Sequence, residues 1–155
     1  MAEILEIEQV ITIIAALVLV ALTIAVHYEV LRFTSQRVAH IKIPPRWRII
    51  VILVAAMISH LVHVSIYAFA FLWLENLAGV GSIDGPAGHD FSDAFYFSIT
   101  SYTTLGIGDL FPTGDLRLLS GIEALNGLVM VGWTASMTYL YMEKFWHLRD
   151  TRPGR

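Results

Sequence analysis

Between Ser101 and Pro112 the chain reads Ser-Tyr-Thr-Thr-Leu-Gly-Ile-Gly-Asp-Leu-Phe-Pro. Its chemical content lies in Gly106 and Gly108 alternating with Leu105 and Ile107, behind Thr104 and ahead of Asp109. Successive backbone carbonyls can face one way only if alternate residues leave the usual backbone regions, and glycine does so without a Cβ penalty. A row of such carbonyls, with the Thr104 hydroxyl at one end, is a ligand set that can replace the hydration shell of a cation. The plainer reading of the same residues is a Gly-Asp turn in an exposed loop. Two further groups could do chemistry. Glu123 is an ionisable side chain inside an apolar run, which is a functional hypothesis by default. His60 and His63 fall on one helix face, and His27 lies in an earlier apolar run. Histidines so placed could ligate haem, take up a proton near neutral pH, or hydrogen-bond between helices and to Ser59, Ser65 or Tyr28.

The elements that must position these groups follow from composition. The chain has 155 residues, 56% hydrophobic and 15% charged, against about 25% charged in soluble domains. A chain this apolar belongs in a bilayer. Its length allows one compact unit. It has no cysteine, which excludes disulfides and thiolate metal sites. Glu3, Glu6 and Glu8 precede the first apolar run with no basic residue among them, unlike a secretory signal, so that run is expected to persist as a helix. Three runs are long enough to cross about 30 Å of hydrocarbon: 9–31, 47–74 and 116–141, the last containing Glu123 and Asn126. Between the second and third, residues 78–88 are rich in turn formers and read as an exposed loop. Asp90 or Ser92 can then cap a helix. The aromatic run 94–102 is too short to span, so it reads as a core or re-entrant helix. The fold class expected is an all-α membrane protein with three transmembrane helices and a re-entrant helix. Its parts are an N-terminal helix with a basic loop (1–46), a central unit (47–142) and a short tail (143–155).

Nine of the ten basic residues fall in the first loop (Arg32, Arg37, Lys42, Arg46, Arg48) or the C-terminal tail (Lys144, Arg149, Arg152, Arg155). The positive-inside rule places both in the cytoplasm and the N-terminus outside. The outer side then collects Glu75, Asp84, Asp90, Asp93, Asp109 and Asp115 with the N-terminal acids. Acids there either concentrate cations as a summed field or merely mirror topology.

The 104–109 segment resembles the potassium-channel signature T-V-G-Y-G-D, with Leu105 standing for Val and Ile107 for Tyr. The likeness runs from the second span to the end of the third, including Ile122-Glu123-Ala124-Leu125-Asn126-Gly127. The chain is thus similar to the small bacterial potassium channels of the two-transmembrane pore-loop ion-channel family, with the N-terminal helix as an addition. That resemblance implies a homotetramer in a bacterial inner (plasma) membrane, passing potassium and doing no enzymatic chemistry. It implies no cofactor beyond the transported ion and no nucleic-acid partner. Potassium is expected at the carbonyls of Thr104, Leu105, Gly106 and Ile107, with Gly108 closing the filter. Support is expected from Asp109, Tyr96, Phe97, Thr100 and Glu123. Without the usual tyrosine, Ile107 is expected to pack on Phe97, leaving Tyr96 free to reach Asp109. Glu123 lies about 12 Å below the start of its helix at 1.5 Å per residue, so Ser98, Thr100 or Tyr102 hydroxyls are its expected partners. Cavity cation attraction is the alternative for Glu123. Gly127 is either a hinge or a close-packing residue. Helical spacing from Leu128 gives Val131, Ala135 and Thr138 or Tyr139 as lining positions, with Met142 near the mouth. The first helix lacks regularly spaced arginines and is expected at the periphery, toward lipid. A weakly selective monovalent cation channel and a haem-binding membrane protein are the competing readings.

The orientation is directly testable in this cysteine-free chain. Cysteine at Glu3 should react with an impermeant reagent in intact cells; reaction only after lysis would reverse the topology.

Overall fold

The computed structural model describes residues 2–77, 79–86 and 90–150. Ala78, Ala87 and Gly88 of the expected loop, and Arg152 and Arg155 of the tail, lie outside the described residues. Four helices are present: α1 (Ala2–His40), α2 (Pro45–Glu75), α3 (Phe91–Tyr102) and α4 (Leu116–Asp150). Three contain stretches long and apolar enough to cross a membrane, at Ile7–His40, Arg46–Glu75 and Leu116–Lys144. The protein is therefore an all-α, multi-pass membrane chain with a short helix between its second and third spans.

Local sequence explains most boundaries. Pro45 sits at the start of α2, where its missing N–H costs nothing. Arg48 closes the preceding turn, donating from Nε to the Ile43 carbonyl and from Nη2 to that of Ile41. Asp90 caps α3, its side chain accepting from the Asp93 N–H at 2.9 Å. Two boundaries differ from expectation. α1 continues to His40, so Arg32 and Arg37 belong to a helix rather than a loop. α4 runs on past Tyr141 to Asp150. Neither stretch contains Gly or Pro, and leaving hydrocarbon does not itself end a helix.

The helices are apolar on their outer faces as well as within the core. α1 buries Thr12, Ala16, Leu19, Thr23, His27 and Leu31 along one stripe while Val10, Ile14, Leu17, Val18 and Leu22 stay exposed. It turns polar side chains inward, as a helix in lipid must. α1 packs on both α2 and α4, and its exposed apolar side is the one left for lipid. Asn126 of α4 donates to Thr23 Oγ1 of α1 (2.8 Å) and to Tyr67 Oη of α2 (3.2 Å), joining all three spans.

The outer segment also departs from expectation. Val80 and Ile83 are only 1% and 6% exposed, within the core formed by Phe71, Leu74, Phe97, Leu110 and Leu116. The strand β1 (Ile83–Asp84) pairs antiparallel with β2 (Phe111–Pro112), Ile83 opposite Pro112. The Ile83 N–H donates to Glu75 Oε1. Gly81 and Gly114 allow this closure because a Cβ on either would meet the backbone of the opposite segment. Turn formers here thus build a tucked ribbon.

The Asn126 junction predicts a measurable coupling. A double-mutant cycle of Asn126→Ala with Thr23→Val should return about 0.6–1.7 kcal/mol, as interhelical hydrogen bonds in membranes do. Strict additivity in thermal unfolding of the purified protein would refute the bond.

Candidate functional site

α3 ends at Tyr102, and the chain then turns into the exposed 103–109 segment. Backbone hand alternates there: Thr104 (φ 59°), Gly106 (φ 55°) and Gly108 (φ 87°) are left-handed, while Leu105 and Ile107 are not. Among the described residues Thr104 is the one non-glycine with positive φ. Alternating hand turns successive peptide planes the same way, so a row of carbonyls can face a common side. A left-handed non-glycine costs roughly 1–2 kcal/mol, which the surroundings must offset. The Thr104 N–H donates to the Ser101 carbonyl (2.9 Å) and the Gly106 N–H to that of Thr100 (3.1 Å). Both bonds use carbonyls that the end of α3 leaves unpaired.

The expected supporting residues divide. Tyr96 Oη donates to Asp109 Oδ2 at 2.9 Å, as expected. This bond holds the Tyr96 hydroxyl above its ordinary pKa, since the carboxylate accepts its proton. Asp109 Oδ1 accepts from the Leu110 N–H, so the acid is fixed at both oxygens. Phe97 is buried, with its ring edge-on to Phe71 at 5.1 Å. Ile107 keeps 56% of its surface exposed in the single chain and Leu105 65%. Phe71 and the surrounding core cover Phe97. Thr100 donates its hydroxyl to the Phe97 carbonyl, and so supports the segment by its own carbonyl rather than through Glu123.

Glu123 is fully buried, and Ser98 donates to its Oε1. The other expected partners, Thr100 and Tyr102, are engaged elsewhere. Among the described residues Oε2 has no hydrogen-bond partner. This carboxylate sits behind α3, so it ties α4 to the short helix rather than facing open space. Gly127 does the same by contact. A Cβ there would run into the Tyr102 carbonyl oxygen, so α4 and the end of α3 meet backbone to backbone. That geometry favours packing over a hinge. Gly132, by contrast, faces open space in the single chain. Leu128, Val131, Ala135 and Tyr139 all lie on exposed parts of α4 in the single chain.

Three of the acids expected on the outer side hold a local structure. Asp90 caps α3, Asp84 accepts from the Ser82 hydroxyl, and Glu75 holds the ribbon. His27, His60 and His63 come together between α1 and α2, with Ser59, Tyr102 and Thr134 among them. The helical spacing of His60 and His63 was visible in the sequence. The participation of Tyr102 and Thr134 was not, because they lie 42 and 74 residues from His60.

Residues 49–144, more than half of the chain, match the profile of a family described as Ion channel. The inward rectifier potassium channel Kirbac3.1 of Paramagnetospirillum magnetotacticum is 31% identical over 94 residues, covering 60% of this chain and 30% of that protein. The chain thus spans less than a third of that relative's length.

The two glycines of α4 separate packing from flexibility. Gly127→Ala should sharply reduce the yield of folded protein, since backbone cannot yield to the new methyl as a side chain can. Gly132→Ala should fold normally. Size-exclusion profiles and melting temperatures check both; equal tolerance at the two positions would remove the backbone contact.

Proposed function

Because the chain belongs to the two-transmembrane pore-loop ion-channel family, we propose that four copies surround one axis and conduct potassium passively between their 104–108 segments. The observation that carries this reading is the alternation of backbone hand at Thr104, Gly106 and Gly108. One chain supplies one carbonyl row, and a ring of ligands requires four. A closed cyclic arrangement with a heterologous interface follows.

In this reading the carbonyls of Thr104, Leu105, Gly106 and Ile107 replace the hydration shell of the ion, and Gly108 completes the turn. Tyr96 and Asp109 fix the outer end of the row, while Thr100, Glu123 and Gly127 hold its base against α4. Leu128, Val131, Ala135 and Tyr139 line the path on the inner side. The basic loop and tail face the cytoplasm of a bacterial-type inner membrane, and the N-terminus faces outside. Potassium is the ion named for the relative above, and the preserved backbone ligands favour it here. No part of the reading calls for a cofactor. The haem reading gains nothing from the geometry, since every nitrogen of the three histidines is hydrogen-bonded to a hydroxyl.

A weakly selective cation channel is the second reading, favoured by the absence of a hydrogen-bonding side chain at Ile107. Reversal potentials of the reconstituted protein in mixed potassium and sodium decide between them. A strong potassium preference is expected. A permeability ratio near one, corrected by Ile107→Tyr with Phe97→Trp, would select the second reading. Gly106→Ala should abolish flux while the protein still folds, because each subunit would carry a left-handed Ala costing about 1 kcal/mol or more. Normal conduction in a folded Gly106→Ala protein would remove the filter assignment altogether.

A further inference from the structure

Six side chains from four helices close a ring of hydrogen bonds. His27 Nδ1 shares one with Ser59 Oγ (3.1 Å), Ser59 Oγ with His63 Nε2 (3.3 Å), and His63 Nδ1 with Tyr102 Oη (3.0 Å). Tyr102 Oη shares the next with His60 Nδ1 (2.9 Å), His60 Nε2 with Thr134 Oγ1 (3.0 Å), and Thr134 Oγ1 with His27 Nε2 (3.1 Å). Imidazoles and hydroxyls alternate all the way round. α1 contributes His27, α2 contributes Ser59, His60 and His63, α3 contributes Tyr102, and α4 contributes Thr134.

The donor count fixes the protonation state that completes the ring. A neutral imidazole has one donor and one acceptor nitrogen, and a hydroxyl can donate once while accepting once. Six such members fill six bonds, all running in one sense. An imidazolium donates at both nitrogens and accepts at neither. One added proton therefore makes two donors meet at some bond, or forces a hydroxyl to turn its proton out of the ring.

The ring also sits where its loss would be felt. Tyr102 is the last residue of α3, two positions before Thr104. Its hydroxyl is held by His60 and His63, and its carbonyl lies against Gly127. His27 and His63 are fully buried, whereas His60 and Thr134 are partly exposed in the single chain. Besides the three imidazoles on α1 and α2, the titratable groups near the ring are Tyr102 from α3, Tyr67 from α2 and Glu123 from α4, the last two within electrostatic range of Tyr102. Trp133 stacks near His27 with ring centroids 5.3 Å apart. The three histidines bring ligand atoms within 4.8 Å of one another, but a metal would have to break the hydroxyl bonds that now occupy every nitrogen.

We propose that the His27–His60–His63 ring is a proton-binding latch: neutral, it clamps the base of the 104–108 segment, and on acidification it opens and ion flux falls. The flux arm rests on the channel reading above; the ring itself is tested separately. Imidazole nitrogen NMR of the full-length protein in bilayers should show three neutral, doubly hydrogen-bonded rings near neutral pH. Those rings should protonate in a coupled manner as the pH is lowered from about 8. Potassium flux into proteoliposomes should fall several-fold over the same range. Glutamine donates and accepts but cannot be protonated in this range, so the triple variant His27→Gln, His60→Gln, His63→Gln should retain flux at low pH. Thr134→Val, which removes two ring bonds and no imidazole, should reproduce the acidified wild type at neutral pH and guards against a misfolded triple variant. Rings that titrate independently at the ordinary histidine value overturn the latch, as does unchanged pH dependence in a folded triple variant. Stoichiometric zinc binding that shifts all three imidazoles at neutral pH also overturns it, in favour of a metal site. Absence of flux at every pH would fail the channel reading, while the nitrogen spectra still decide the ring.

Discussion

The segment from Thr103 to Gly108 is irregular backbone between two helices long and apolar enough to cross a membrane, and at membrane depth such backbone is tolerated only where protein or a water-filled path surrounds it. α3 exists to deliver this segment, and its last carbonyls take the N–H groups of Thr104 and Gly106. α4 meets the end of α3 at Gly127, where only a missing side chain lets two backbones touch. α2 supplies the Phe71 wall behind Phe97 and the histidines that hold Tyr102. Even the outer ribbon serves the same end. It brings Ile83 against Pro112, just beyond the segment, and closes the far side of the loop.

Lipid gives no hydrophobic reason for helices to associate, so polar contacts and close packing must. The interior bears this out in three layers. Ser98 with Glu123 joins α3 to α4, Asn126 with Thr23 and Tyr67 joins α4 to α1 and α2, and the histidine ring joins all four helices. Each contact is individually worth about 1 kcal/mol in a bilayer. Their value is collective, because removing one partner leaves its mate buried and unpaired. This layering makes α1 a structural member of the unit, with its apolar side left for lipid.

The features legible in the sequence were local ones. Glycine alternation at 106 and 108 announces positive φ because few other residues adopt it cheaply. Span count follows from run length, and the Asp90 cap from the residue type before a helix. Tyr96 reaching Asp109 was also legible, since the two close a short loop. Features set by distant pairing were not. Thr134, Tyr102 and Ser59 look like ordinary small or aromatic residues until four helices converge on one point. Residues 78–88 looked exposed because turn formers are common in loops, yet Val80 and Ile83 are core. The ends of α1 and α4 were misjudged because apolar runs mark the hydrocarbon boundary, and a helix without Gly or Pro continues past it.

The departure at Ile107 bears on what holds a carbonyl row in register. A tyrosine there would tie the row sideways to α3 by a directional bond. Isoleucine removes that tie, and in the single chain Ile107 keeps more than half of its surface exposed. Two anchors survive on either side of the gap. Outward, Asp109 is gripped by Tyr96 and by the Leu110 N–H. Inward, Tyr102 is fixed at its hydroxyl by two histidines and at its carbonyl by Gly127. The row is therefore clamped at its ends rather than braced along its side. A row held in this way depends on both clamps staying closed. That dependence gives the inner clamp, the ring containing three ionisable imidazoles, more influence over the row here than it would have in a chain with a tyrosine at position 107.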